Sequence, residues 1–202
     1  MSPRPLLLPL ALSLALASTA CATAPAVTDT SASSPATAPV PAADKAAQLD
    51  KLYAEYWEEV LKMNPIQATF QGDPRYNDLL PDMYSKAFRD ESRAFTQRWL
   101  GRVEAIGSDG LSGQDLISYE IFVSEAKDSL FAEKFPGWML PVNQMGSIVT
   151  YAAMLGSGTG AQPFKTVKDY DNWLARGSRF PVLVDSAIAN MREGMKAGVV
   201  QP

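Results

Sequence analysis

Residues 44–64, DKAAQLDKLYAEYWEEVLKMN, carry the pattern that decides the fold. Their apolar side chains recur every three or four residues, which is the spacing that places them on one face of an α-helix. Asp44 can cap the start of this helix, and Asn64 followed by Pro65 ends it. The pattern predicts an amphipathic helix with an apolar stripe of Leu49, Leu52, Tyr53, Tyr56, Trp57, Val60 and Leu61.

Downstream segments repeat the same spacing. A short helix opened by Pro65 follows directly, and two long helices are predicted over residues 82–107 and 114–135. A last helix over residues 179–198 stops at Gly198, because glycine readily adopts the left-handed conformation at a helix end. Each long helix has an apolar side that needs a partner to cover it.

Two pairs of residues mark further helix starts. Ser112 with Asp115, and Thr166 with Asp169, have the spacing of a capping box, with Asp in place of the usual Glu. Residues 147–155 fit either a short helix or a buried strand, and the helices around them favour a helix. No segment shows sustained alternation with a period of two. The predicted fold class is therefore all-α, with antiparallel helices joined by short connections.

Composition narrows the possible functions. The chain has 202 residues and a net charge of −4, which argues against a nucleic-acid partner, because phosphate binding needs a basic surface. It contains no histidine, the commonest general base and metal ligand, and only one cysteine, so no intrachain disulfide can form. These residue types and spacings predict no catalytic residue, no metal ligand and no cofactor site in this chain.

Residues 1–20 are typical of a secretory signal peptide. Arg4 supplies the positive charge, and the apolar run over 6–17 is too short to span a bilayer. The lone cysteine, Cys21, stands where cleavage is expected. Two interpretations are open: cleavage before Cys21 with acylation of its sulfur, as in a lipoprotein, or ordinary signal cleavage between small residues. Ser18, where a lipoprotein signal usually has Leu, weakens the first interpretation.

Residues 21–44 are predicted to form a disordered tether. They consist mainly of Ala, Thr, Ser, Pro and Val, and cannot bury enough apolar surface to offset the entropy of ordering. A spacer between Cys21 and a helical domain at 45–202 favours the lipid anchor, and with it a membrane partner. Ala22 after the cysteine favours the outer membrane of a Gram-negative bacterium, which places the domain in the periplasm.

Several stretches look like functional motifs but have simpler interpretations. GSGTG at 156–160 lacks the lysine and the strand–loop–helix context of a phosphate loop, so a flexible loop is favoured. The adjacent carboxylates Glu58-Glu59 and Asp90-Glu91 are typical of solvated helix faces. The aromatic stripes of the first two long helices are typical of core packing. If exposed, they would instead form a platform for a sugar or a peptide.

The irregular stretch LPVNQMGS at 140–147 is the candidate ligand site of this chain. Asn143 and Gln144 are amides in an apolar setting, and buried amides need hydrogen-bond partners. They either tie down the backbone of the loop or form hydrogen bonds with a ligand along a groove. We therefore regard Asn143 and Gln144 as possible substrate-groove residues.

A longer set of features is similar to a known family. It comprises NPIQATFQGDPRYNDLLPD at 64–82, LSGQDLISYEIF at 111–122, LPVNQMGSI at 140–148 and the run at 163–202 that contains MREGMKAG. Together they resemble the N-terminal portion of the bacterial domain-of-unknown-function 885 family over the whole of 45–202. In that family an Asp–Tyr pair precedes a long helix, and an M-R-x-G-x-x-x-G element follows it. The matching residues here are Asp169, Tyr170, Met191, Arg192, Gly194 and Gly198.

The resemblance is most specific over 64–76 and 164–202, and it implies more than the residues alone do. Family members look like mostly helical, zinc-peptidase-like hydrolases whose His-Glu metal motif lies far downstream of the matched region. Zinc is thus implied only for a full-length protein, and no catalytic or metal residue of the family transfers to this histidine-free chain. We expect 45–202 to be a helical portion of a larger fold, truncated at its C-terminal side.

Two functions follow as hypotheses. The first is the N-terminal helical portion of an exported metallohydrolase, which forms one wall of a cleft for a peptide-like substrate and is inactive alone. The alternative is a non-catalytic helical envelope lipoprotein that binds a partner or a ligand, because the chain combines a tether with a lack of catalytic residue types.

Overall fold

The computed structural model describes residues 41–143 and 146–201. Over these residues the chain forms seven α-helices and two short 3-10 helices without a β-strand, so the all-α prediction is confirmed. None of the described helices is both long and apolar enough to cross a bilayer. The predicted signal peptide, Cys21 and Gln144 lie outside the described residues. The α-helices are α1 Ala42–Met63, α2 Pro65–Phe70, α3 Lys86–Ile106, α4 Gly113–Ala132, α5 Ile148–Gly156, α6 Val167–Gly177 and α7 Phe180–Ala197, and the 3-10 helices are Pro74–Tyr76 and Gly137–Met139.

Helix α1 begins earlier than its sequence pattern indicates. Its first residue is Ala42, after Pro41, and no side chain caps it. The prediction that Asp44 caps this helix is wrong, because Asp44 lies inside the first turn, where its charge favours the helix dipole. Ala42 and Ala43 are strong helix formers, and they extend the helix into residues that composition assigns to the tether.

The two predicted capping boxes have different outcomes. At α6, the Asp169 carboxylate accepts a hydrogen bond from the Thr166 N–H at 2.8 Å, and the Thr166 hydroxyl accepts one from the Asp169 N–H at 3.3 Å. The bonds from the Thr166 N–H and hydroxyl hold the pKa of Asp169 below its usual value. At α4, the box predicted from Ser112 and Asp115 is wrong, since the Ser112 side chain makes no capping bond. Gly113 follows with a φ of +56°, which directs the chain away from the geometry that a cap needs.

Three other helix limits follow the sequence pattern. Pro65 is the first residue of α2. The ambiguous segment at 147–155 is a helix, and the Ser147 hydroxyl accepts a hydrogen bond from the Thr150 N–H at its start. Helix α7 ends at Gly198, whose φ is +72°. Helix existence was therefore predictable from periodicity, and helix ends from glycine and proline.

Helix α3 runs antiparallel to both α1 and α4. Glu55 of α1 binds Arg102 of α3 at 2.6 Å, and Glu59, one turn further along α1, binds Arg98, one turn earlier on α3. Partners that recede along one helix as the chain advances along the other define an antiparallel pair. The pairs between α3 and α4 have the same order, and they are Glu104 with Lys127 and Arg93 with Glu133.

The first hydrophobic core lies where these three helices meet. Trp99 and Val103 of α3 are fully buried there, together with Leu49 and Leu52 from the predicted stripe of α1. Trp57 belongs to the same predicted stripe but is 43% exposed. The partly buried aromatic residues packed against this core are Tyr53, Tyr56, Phe95, Tyr119 and Phe122.

A second hydrophobic core forms around Leu80, Ile148 and Leu183. Leu80 lies in the connection before α3, whereas Ile148 opens α5, after α4. The chain therefore contributes α1 to the first core and the connection that contains Leu80 to the second. It then contributes α3 and α4 to the first core, and α5 and α7 to the second. The partly buried residues packed against the second core are Ile66, Met83, Tyr84 and Phe180.

A glycine brings α7 close to the 3-10 helix at Gly137–Met139. A Cβ atom on Gly194 would lie 2.6 Å from the carbonyl oxygen of Val199 and 3.1 Å from the Cβ of Met139. Only glycine leaves room for this approach. The Val199 N–H also donates to the Gly194 carbonyl at 2.8 Å, just beyond the left-handed Gly198. The M-R-x-G-x-x-x-G element thus provides one close contact and one helix end.

Candidate functional site

Arg176 of α6 is fully buried and donates five hydrogen bonds. A guanidinium carries five N–H groups, so its donors are matched by acceptors. Its Nε bonds the carbonyl of Leu79 at 3.0 Å, Nη1 bonds the Thr69 hydroxyl at 2.9 Å and the Gln162 side-chain oxygen at 2.6 Å, and Nη2 bonds the carbonyls of Tyr76 at 2.6 Å and Pro65 at 3.3 Å.

Neutral oxygens alone hold this guanidinium among the described residues. Burial lowers the pKa of Arg176 to about 10, and the charge of Asp78 acts in the opposite direction. The group therefore remains charged at neutral pH. A wider network supports it: Thr69 donates to the Asn77 side-chain oxygen at 2.7 Å, and Gln162 donates to the Asn77 carbonyl at 3.4 Å.

We call Arg176 and its five hydrogen-bond acceptors the Arg176 centre, and this centre holds distant parts of the chain together. Its acceptors Pro65, Thr69 and Tyr76 and its own helix α6 lie in the two stretches that are most specific in the resemblance, 64–76 and 164–202. A buried guanidinium with its donors used has no free group to bind a substrate or move a proton. We therefore regard Arg176 as a structural residue. Its position three residues after Trp173 was the only sequence signal that it lies on a packed face.

A groove with aromatic walls lies along α1, α3 and α4. We call it the aromatic groove, and its volume is about 660 Å³. Its lining side chains come from all three helices, and they are Tyr53, Tyr56, Trp57, Thr96, Trp99, Ser118, Ile121, Phe122, Glu125, Ala126 and Ser129.

The floor of the aromatic groove is a cluster of rings around Tyr56. The centroid of the Tyr56 ring lies 4.9 Å from that of Phe122 and 5.5 Å from that of Trp99, and both contacts are edge-to-face. The hydroxyl of Tyr53, also in the wall, is buried without a hydrogen-bond partner among the described residues. Trp57 stands exposed at the groove. The apolar stripe of α1 thus packs in the first core, as its pattern indicates, and it also exposes the ring of Trp57 to solvent.

Glu125 gives the aromatic groove an unbalanced negative charge. Among the described residues, no basic side chain forms a salt bridge with this carboxylate. Burial raises the pKa of the Tyr56 hydroxyl, and the charge of Glu125 raises it further, so the carboxylate acts on the floor of the groove. Sequence reasoning missed Glu125, because one glutamate on an amphipathic helix looks like any solvated charge.

Asn143 lies on the surface rather than in an apolar interior. Its side-chain oxygen accepts a hydrogen bond from the Gly146 N–H at 2.9 Å, and its own N–H donates to the Gly146 carbonyl at 3.3 Å. This arrangement fits the interpretation that Asn143 ties down the loop backbone. The aromatic groove is not lined by Asn143. Its possible part in a substrate groove, and that of Gln144, remain predictions.

The glycines of GSGTG at 156–160 have packing roles. A Cβ atom on Gly156 would lie 2.7 Å from the Trp173 ring, and one on Gly160 would lie 2.5 Å from the Met154 carbonyl oxygen. Gly158 has a φ of +76°. The segment is therefore shaped by close contacts and a turn, which explains its glycines without a phosphate ligand.

Three of the four adjacent carboxylates are accounted for by surface contacts. Glu58 binds Arg75 at 2.7 Å, Glu59 binds Arg98, and Asp90 binds Lys86 at 2.5 Å. Within 41–143 and 146–201, no group of three or more His, Cys, Asp or Glu side chains is arranged to hold a metal ion. These residues do not fit the zinc site that the resemblance implies for a longer protein.

Comparison with known proteins identifies one family. A family model described as "Bacterial protein of unknown function (DUF885)" matches residues 65–202. The match covers both the Arg176 centre and the segment from α3 to α7, whereas α1 precedes it. No curated protein and no solved structure gives a significant match.

Proposed function

Because the chain belongs to the DUF885 family of bacterial proteins, we propose that it is the N-terminal helical portion of an exported, peptidase-like metallohydrolase. The catalytic motif and its zinc belong to other residues of that enzyme, since the described residues do not fit a metal site. In the complete enzyme these helices form one wall of the cleft for a peptide-like substrate. The present chain alone is inactive.

An exposed apolar stripe on α6 carries this proposal. Val167, Tyr170 and Leu174 follow one another at three- and four-residue spacing and are 79%, 53% and 68% exposed. Met195 of α7 is 70% exposed as well. Apolar side chains grouped in this way mark a surface that packs against further structure. A larger helical fold around α6 and α7 supplies that cover.

The coding region beyond the Pro202 codon provides the test. We expect an open frame that encodes a His-Glu metal motif on a predicted helix, because zinc hydrolases use His and carboxylate ligands with a glutamate as general base. DNA sequencing of the locus measures this directly. An immediate stop codon with no such motif in frame would contradict the metallohydrolase role.

Export to the periplasm and a lipid anchor on Cys21 are part of the same proposal. The support is the sequence alone: the apolar run at 6–17, the single cysteine at the cleavage point and the tether behind it. The intact mass of protein from the membrane fraction checks this. We expect a mature chain that begins at Cys21 and carries added acyl mass, and an unmodified chain that begins after Ala20 would rule out the anchor.

A second candidate function is a non-catalytic envelope lipoprotein that binds a partner or a ligand. The aromatic groove favours it, because all of its lining side chains come from α1, α3 and α4, which pack on one another within this chain. The stop codon that would contradict the hydrolase role would support this candidate.

A further inference from the structure

We propose that the aromatic groove binds an extended basic peptide, with one lysine or arginine side chain lying over its exposed rings and paired with Glu125. The proposal goes beyond the hydrolase role and does not rest on it. Three helices, α1, α3 and α4, supply the whole site. Helix α1 lies before the family match, so the site is not a property of the matched region alone.

The rings of the groove suit a positive charge. Aromatic faces attract cations within about 6 Å of the ring centroid, and Trp57 exposes 43% of its surface here. The same ring cluster already binds two of the protein's own cations. The guanidinium carbon of Arg102 lies 4.2 Å from the Trp99 centroid, and that of Arg98 lies 5.8 Å away. A basic side chain on the ligand repeats this contact at Tyr56 and Trp57.

The charges around the groove leave one carboxylate for a ligand. Glu125 has no salt-bridge partner among the described residues, whereas four basic side chains on α3 and α4 are each bound to a glutamate. A cation that enters the groove can therefore form a salt bridge with Glu125 without breaking an existing salt bridge. The basic side chains already paired are Arg93, Arg98, Arg102 and Lys127.

The shape of the groove suits a peptide better than a single amine. Ser118 and Ser129 both line it, and eleven residues of helix separate them by about 16 Å. That length matches about five residues of extended chain. The hydroxyls of Ser118 and Ser129 line the groove and can donate hydrogen bonds to a peptide backbone.

The test compares two peptides that differ only in charge. The probes are acetyl-Gly-Gly-Lys-Gly-Gly-amide and the same peptide with norleucine in place of lysine. NMR titration of the full chain follows the indole N–H signal of Trp57. We expect the lysine peptide to bind about tenfold more tightly than the norleucine peptide, and the difference to shrink as salt is added.

Two substitutions on α4 localise the effect. Glu125→Gln is expected to remove most of the tenfold preference and to leave the norleucine peptide unchanged. Glu120→Gln is the matched control, because Glu120 is exposed on the same helix and does not line the groove. Circular dichroism confirms that both variants keep the helical fold, since both positions lie on the surface.

Four binding results would overturn the proposal. They are equal binding of the two peptides, no binding of either, a Glu125→Gln variant that keeps the preference, and a Glu120→Gln variant that loses it equally. Light scattering tests whether a second copy of the chain occupies the groove. A dimer that dissociates in the Trp57→Lys variant would assign the groove to that second copy and overturn the proposal. A monomer at the NMR concentration, with a charge-dependent shift at Trp57, supports the peptide.

Discussion

Replacement of Arg176 by methionine should lower the free energy of unfolding by about 3–5 kcal/mol, because several buried acceptors lose their donor at once. The carbonyls of Tyr76 and Leu79 and the side chain of Gln162 are then left unpaired away from water. Methionine fills part of the space but donates nothing. Urea unfolding measures the loss, and the melting temperature should fall by roughly 10 °C or more.

Two further variants separate hydrogen bonding from charge at this position. Arg176→Lys keeps the positive charge but has only three donors and no planar fork, so it should recover little of the lost stability. Arg192→Met is the control, because Arg192 is exposed on α7 and forms no hydrogen bond or salt bridge with the described residues. A stability of Arg176→Met within about 0.5 kcal/mol of the wild type, as expected for surface changes, would show that the centre is not structural.

The second large effect is expected for Trp99→Ala, which should cost about 3–5 kcal/mol of stability. Trp99 is fully buried, its ring meets Tyr56 edge-to-face, and its indole N–H donates to Glu59 at 3.2 Å. Alanine leaves a cavity where α1 meets α3 and removes the ring on which Arg102 lies. Equilibrium unfolding in urea gives the change in stability, and near-UV circular dichroism reports the packing of the remaining rings.

Trp57→Ala is the matched control for this core substitution. Trp57 lies on the same helical stripe as Tyr56 but is 43% exposed, so its removal should cost about 1 kcal/mol or less. Equal losses for the two tryptophans would contradict the assignment of Trp99 to the first core and of Trp57 to the groove surface. The same Trp57 variant, followed through the indole N–H signal of Trp99 in the groove, should bind the lysine peptide more weakly, which separates its binding role from folding.

Local patterns explain why much of the fold was predictable. The apolar residues of α1 repeat with the helical period within a few turns, so Leu49 and Leu52 could be assigned to a core without knowledge of their partners. The capping box at Thr166 is confirmed, because its geometry depends only on four consecutive residues. The box at Ser112 fails because the glycine beside it adopts a positive φ, which the spacing of polar residues does not encode.

The parts that depend on distant contacts were not predictable in this way. The acceptors of Arg176 include backbone carbonyls about a hundred positions earlier in the chain, and a carbonyl leaves no mark in a sequence. From the sequence, the aromatic side chains could be either core packing or an exposed platform. Trp99, which is fully buried, fits the first description, and Trp57, which is exposed, fits the second. The sequence predicts an apolar setting for Asn143, but Asn143 is exposed and holds a turn, because apolar neighbours in sequence are not always neighbours in space.

Because α1 packs against α3, the boundary of the family match differs from the boundary of the first core. The family resemblance recorded in residues 65–202 starts after α1, yet the indole of Trp99 and the side chain of Val103 are shielded in part by that helix. A protein excised at Pro65 would present the first core to water and leave Arg98 and Arg102 without their carboxylates. The matched segment is thus shorter than the segment that builds the first core, and a fragment that keeps this core includes α1, which begins at Ala42.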